Sequence, residues 1–145
     1  MSAISLTPLY TAHATSKGGR NGNVKSSDGL IDFNLTVPKT MGGDGAVGTN
    51  PEQLFAAGYS ACFAGAVGLV ARGMKINTPF TITADVTFNK GSDDGYWIST
   101  KLTGNFPELQ RAQAQQVLEA AHQVCPYSKA TRGNMNVELV VGTAL

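Results

Sequence analysis

The stretch "TNPEQLFAAGYSACFAGAVGLVARG", Thr49 to Gly73, decides how this 145-residue chain is read. Asn50 suits a helix N-cap, Pro51 the first helical position, and Gln53 the closing residue of a capping box. Nothing breaks the pattern firmly until Gly73, a natural C-terminal glycine after Arg72. Leu54 to Ala71 carries no charged residue, so the helix is apolar all round and long enough to span a membrane. It is mostly Ala and Gly, however, and has no basic or aromatic flank on its N-terminal side. We therefore read it as the buried centre of a soluble protein. Such a helix needs covering on every side, which one small sheet cannot supply, and this points to a homodimer.

Around this helix the chain reads as strands and turns. Ile4 to Ala14 alternates irregularly, and the Asn21-Gly22 pair within Ser16–Asn23 is a hairpin signal. Val24–Ser26 and Leu30–Val37 read as strands, and a glycine-rich loop follows Pro38. Beyond the helix, Phe80, Ile82, Ala84, Val86 and Phe88 alternate on one face of a strand. Gly91–Gly95 turns the chain into a partner strand over Tyr96–Phe106. A second helix opens at Pro107-Glu108, with Leu109, Ala114, Val117, Leu118, Ala121 and Val124 on its apolar side, and stops near Cys125 before Pro126. Met135–Val141 is a last strand. Strands grouped between helices favour an α+β fold with antiparallel sheets. No repeat or linker divides residues 1–145, so one domain is expected.

Composition narrows the function. Lys+Arg 11 against Asp+Glu 10 leaves a net charge of +1, with no basic face for nucleic acid or acidic lipid. Met1–Tyr10 lacks the basic and continuous apolar regions of a signal peptide, so a cytoplasmic protein is expected, with its thiols reduced. Gly43–Gly48 matches GxGxxG, but the helix starts only after Asn50 and no acidic residue lies at the distance a ribose requires, so it reads as a loop. No metal-ligand cluster is apparent, and His122 reads as a helix-face residue near a C-terminus, where positive charge is favourable.

Two cysteines remain, Cys62 and Cys125, 63 residues apart and outside any CxxC or zinc spacing. A cysteine in an apolar helix is either a small hydrophobe or a nucleophile. The second requires a cation, because burial alone raises a thiol pKa. Arg72 and Glu52 each stand ten residues from Cys62, about 15 Å along a helix. The cation must come from outside the helix, and Arg20 in the glycine-rich turn is a candidate that spacing alone does not select.

"TNPEQLFAAGYSACF" (residues 49–63) and "CPYSKATRGN" (residues 125–134) together closely resemble the Ohr/OsmC family. Gly58-Tyr59 and Pro126-Tyr127-Ser128 are similar to its organic hydroperoxide resistance (Ohr) branch. The resemblance implies an OsmC-like fold, an intertwined homodimer whose sheets wrap the long helices. It implies a thiol-dependent peroxidase reducing organic hydroperoxides, with Cys62 as peroxidatic and Cys125 as resolving cysteine. Arg20 matches the arginine that holds the thiolate, and Glu52 the acid that pairs with it. A Cys62–Cys125 disulfide would be reduced by an external dithiol, a lipoyl group on a protein. No metal, haem, flavin or other cofactor is implied, nor any nucleic-acid or membrane partner. Phe55, Tyr59, Phe63 and Tyr127 are the expected substrate pocket, unless each is simply core. OsmC proper shares this site. A non-enzymatic redox sensor or lipid-binding module is the reading from another class.

Overall fold

The computed structural model describes residues 3–145, which fall into two compact units, one ending at Pro51 and the other running from Glu52 to Leu145. In the first unit, β1 (Ala14–Lys17), β2 (Asn23–Ser26) and β3 (Asp32–Asn34) form an antiparallel sheet in sequence order. The hairpin between β1 and β2 exists, but the Asn21-Gly22 pair does not turn it. Gly18 and Gly19 hold the left-handed angles, φ 81° and 58°, and lead into one 3-10 turn over Gly19–Asn21. Gly22 closes the turn where a Cβ would overlap the Lys17 carbonyl. Arg20 is thereby set, half-buried, in the middle of a tight glycine-built turn.

Other expectations for this unit need correcting. Residues 4–13 form no strand, because their alternation is broken at Pro8-Leu9-Tyr10. The expected strand over Leu30–Val37 shrinks to Asp32–Asn34, and Leu35 makes only an isolated bridge to Thr49. Leu35 is the one buried residue among those described in this unit, while Ile4, Leu6, Leu9 and Tyr10 stand almost fully exposed.

The second unit is built on α1 (Pro51–Gly73), which begins and ends where Asn50-Pro51 and Gly73 require. Then come β4 (Thr81–Lys90), β5 (Tyr96–Asn105), α2 (Arg111–Val124), α3 (Pro126–Thr131) and β6 (Val137–Val141). Tyr59, Phe63, Ala66 and Val67 of α1 share one core with Leu102, Phe106, Val117, Leu118, Ala121 and Val141. The antiparallel β4–β5 pair runs the full ten residues, from Thr81↔Asn105 to Lys90↔Tyr96. Gly104 lets α2 close on β5, since a Cβ there would meet Phe106 and Leu118 at 2.6 and 2.7 Å. Arg111 at the head of α2 donates to the carbonyls of Val141 and Gly142, fixing the end of β6.

The α+β fold is the expected one, with three corrections in this unit. First, β6 pairs parallel to β5, so this sheet is mixed where antiparallel pairing was expected. The chain leaves β5, crosses through α2 and returns in the same direction, as a crossover connection must. Second, α2 starts at Arg111, after Pro107–Gln110, and Val124 faces solvent. Third, Pro126 ends α2 but also starts α3, a suitable first helical residue that lacks only a donor not needed there. The helix α1 is buried on a single face within one chain. Ala57, Ala61, Gly65 and Leu69 form an exposed i, i+4 stripe, with Leu69 57% exposed.

Candidate active site

Cys62 lies near the middle of α1, one turn after Tyr59 and directly before Phe63, both fully buried. Cys125 sits at the corner between α2 and α3, in extended backbone (φ −62°, ψ 123°), and is fully buried. The fold brings these two together. Both are free thiols, and the Cys125 thiol points at Cys62 Sγ across 3.7 Å. That is van der Waals contact, about 1.7 Å more than a disulfide bond.

The two thiols are not equivalent. Cys62 keeps partial exposure, and Cys125 has none. Burial pushes the Cys62 thiol above its ordinary value, a backbone hydrogen bond from Tyr127 pulls it down, and the neighbouring Cys125 adds to the rise.

The four aromatic residues expected at the pocket contact one another as one cluster. Tyr59 contacts Phe55, Phe63 and Tyr127 at ring-centroid distances of 5.9, 6.4 and 5.6 Å. Phe55 and Tyr127 lie 6.1 Å apart. Tyr59 and Phe63 are sealed, so only half-buried Phe55 and the 39%-exposed Tyr127 present surface. Phe55 also lines a cavity of about 320 Å³ with Tyr96, Trp97, Thr131 and Met135. The hydroxyl end of Tyr127 packs against α1 at Gly58, where a Cβ would stand 2.8 Å from its hydroxyl. Arg20 belongs to the first unit and Glu52 opens α1 in the second; each is half-buried and engaged in interactions of its own.

One feature of the site was not visible in the sequence. The Tyr59 hydroxyl lies 2.7 Å from Ser128 Oγ, and Ser128 Oγ lies 2.8 Å from His122 Nδ1. His122 is therefore not a helix-end cation: burial and the adjacent Arg132 charge both lower its pKa, favouring the neutral ring. Arg132 reaches back to donate to the His122 carbonyl. The signal in the sequence was only the repeated three-residue spacing of Tyr59, His122 and Ser128 from a cysteine.

An α+β scaffold that sets two free thiols face to face, one open and one sealed, defines the class of protein. The chain belongs to the OsmC-like protein family, whose pattern residues 42–140 match, on its organic hydroperoxide resistance branch. It is 48% identical to the organic hydroperoxide resistance protein of Xanthomonas axonopodis pv. citri (strain 306), over 92% of this chain and 94% of the relative. It is also 48% identical to the organic hydroperoxide resistance protein OhrB of Bacillus subtilis (strain 168), over 90% of this chain and 96% of that one. The crystal structure of the Bacillus subtilis OhrB superimposes with a TM-score of 0.88 at 46% identity, covering 93% of this chain and all of the other.

Proposed function

We propose that this chain is a thiol-dependent peroxidase that reduces organic hydroperoxides to alcohols. The observation that carries the reading is the pair of unequal thiols, Cys62 partly exposed and Cys125 sealed 3.7 Å away. An incoming peroxide reaches the first and not the second. The names of the Xanthomonas and Bacillus relatives, organic hydroperoxide resistance proteins, support the substrate class.

The Cys62 thiolate attacks the distal oxygen of the hydroperoxide. The O–O bond breaks, the alcohol leaves with a proton, and Cys62 becomes a sulfenic acid. The Cys125 thiol then condenses with it, forming the Cys62–Cys125 disulfide and releasing water. An external dithiol, a lipoyl group on a protein, reduces that disulfide by exchange and leaves as its own disulfide. Burial opposes the Cys62 thiolate, so the mechanism needs a cation. Arg20 is assigned that role and Glu52 that of orienting its guanidinium. The organic part of the substrate lies on Phe55 and Tyr127, backed by Tyr59 and Phe63.

The same reading makes residues 1–145 one functional domain, working as a homodimer in the cytoplasm. The exposed Ile4, Leu6, Leu9 and Tyr10 and the apolar stripe on α1 are surfaces a second copy covers. The test is consumption of a fatty-acid hydroperoxide with dihydrolipoamide or with thioredoxin as reductant. Turnover is expected with dihydrolipoamide and faster than with thioredoxin. No consumption with either would sink the reading.

A further inference from the structure

We propose that the buried chain Tyr59–Ser128–His122 is a positioning element that holds the α2–α3 corner against α1, and so keeps the Cys125 thiol within closing distance of Cys62. The proposal deepens the peroxidase reading, since it gives the resolving step its own machinery.

Cys125 occupies the corner between α2 and α3. It is the residue at which the backbone leaves α2, and Pro126 removes the amide that would have continued that helix. A corner of this kind has no helical ladder of its own to set its angle. Instead, Ser128 Oγ, one turn after Cys125, bonds His122 Nδ1, one turn before it, at 2.8 Å. This is a side-chain bridge across the break. The same oxygen takes the Tyr59 hydroxyl at 2.7 Å, and Tyr59 is one turn before Cys62 on α1. One hydroxyl thus ties both cysteine-bearing segments together.

The surroundings keep the chain in place. Ser128 and Tyr59 are fully buried, and among the described residues no buried side-chain polar atom lacks a partner. Thr131 Oγ1 adds a longer contact to the Tyr59 hydroxyl, 3.4 Å, and the Arg132 guanidinium clamps the His122 carbonyl. A serine hydroxyl has one proton and two acceptor sites, so it can serve Tyr59 and a neutral imidazole at once. The two sulfurs must still approach by about 1.7 Å to bond. A corner held at contact distance makes that a local motion. A corner released from Ser128 would leave the sulfenic acid open to further oxidation.

The test separates the two chemical steps in the full-length protein. Cumene hydroperoxide is added in several-fold excess, so that a second molecule is present to oxidise any sulfenic acid that fails to close, and Cys62 oxidation, disulfide formation and sulfinic acid are followed by quenched-flow mass spectrometry. In Ser128→Ala the first step should keep its parental rate. Disulfide closure should slow about tenfold or more, since one lost buried hydrogen bond is worth about that factor and this variant loses two, with sulfinic acid accumulating. Parental closure in a folded Ser128→Ala overturns the proposal.

If that variant does not fold, a second pair decides. His122→Asn retains an acceptor near the Nδ1 position and should close normally, whereas His122→Leu should be slow; equal rates in the two overturn the proposal. Should the parent protein form no disulfide with peroxide, the peroxidase reading fails separately. Redox titration in dithiothreitol buffers then still tests the positioning. A tenfold loss of closure raises the disulfide potential by about 30 mV in His122→Leu but not in His122→Asn, and equal potentials contradict it.

Discussion

At the scale of the residue, the proposed chemistry depends on two sulfurs whose surroundings differ, Cys62 partly exposed and Cys125 buried. Cys125→Ser should still react once with an alkyl hydroperoxide and then stop, holding a Cys62 sulfenic acid that dimedone traps; sustained turnover in this variant would remove Cys125 from the mechanism. On the proposed assignment of Arg20 as the cation, Arg20→Gln should slow iodoacetamide labelling of Cys62 at pH 7 by about tenfold or more, because an opposite charge favours the thiolate and each pKa unit is worth about tenfold. Unchanged labelling would reassign the cation. His122 gives a pH signature. Its folded pKa lies below the ordinary 6.5, so the unfolded chain binds the proton more readily. Stability should be full above about pH 6.5 and decline as pH falls toward the depressed folded value, a decline that His122→Asn removes in urea titrations. Of these residues, the two cysteines lie in the matched segments, whereas the role of Arg20 is a proposal that rests on the resemblance. The Ser128 bridge was not legible, because the three-residue spacings of Tyr59, His122 and Ser128 from a cysteine do not by themselves fix the corner geometry on which it depends.

At the scale of the element, periodicity carried most of the reading. The bounds of α1 followed from Asn50-Pro51 and Gly73, and β4 from five alternating apolar positions. The parallel return of β6 was missed although its signal was present. A helix lying between two strands that pair in one sheet is the connection parallel strands require. Likewise, Pro126 was taken only as a stop, whereas it also starts α3. The contact of α2 with β5 is testable. Leu118 is fully buried against Gly104, so Leu118→Ala should cost about 2–5 kcal/mol in denaturant unfolding. A loss below 1 kcal/mol, on the order of a surface change, would contradict that packing.

At the scale of the whole molecule, the sequence predicted a helix that one chain could not cover. Burial does reach only one face of α1, and Leu69 stands out on the other. Sedimentation should therefore give twice the 15.1 kDa chain mass, and Leu69→Lys should shift the protein toward the single-chain mass. A monomer at all concentrations would leave the apolar stripe and the exposed N-terminal side chains unexplained. What one chain could not reveal from sequence was which surfaces would stay open, because that depends on how far the small residues of α1 let neighbours approach.

The central claim is that Cys62 is the nucleophile of an organic hydroperoxide peroxidase. The most direct measurement is steady-state consumption of cumene hydroperoxide with dihydrolipoamide by the parent protein and by folded Cys62→Ser. Sustained turnover is expected in the parent, and none above the uncatalysed rate in the variant. Parental turnover in Cys62→Ser would contradict it.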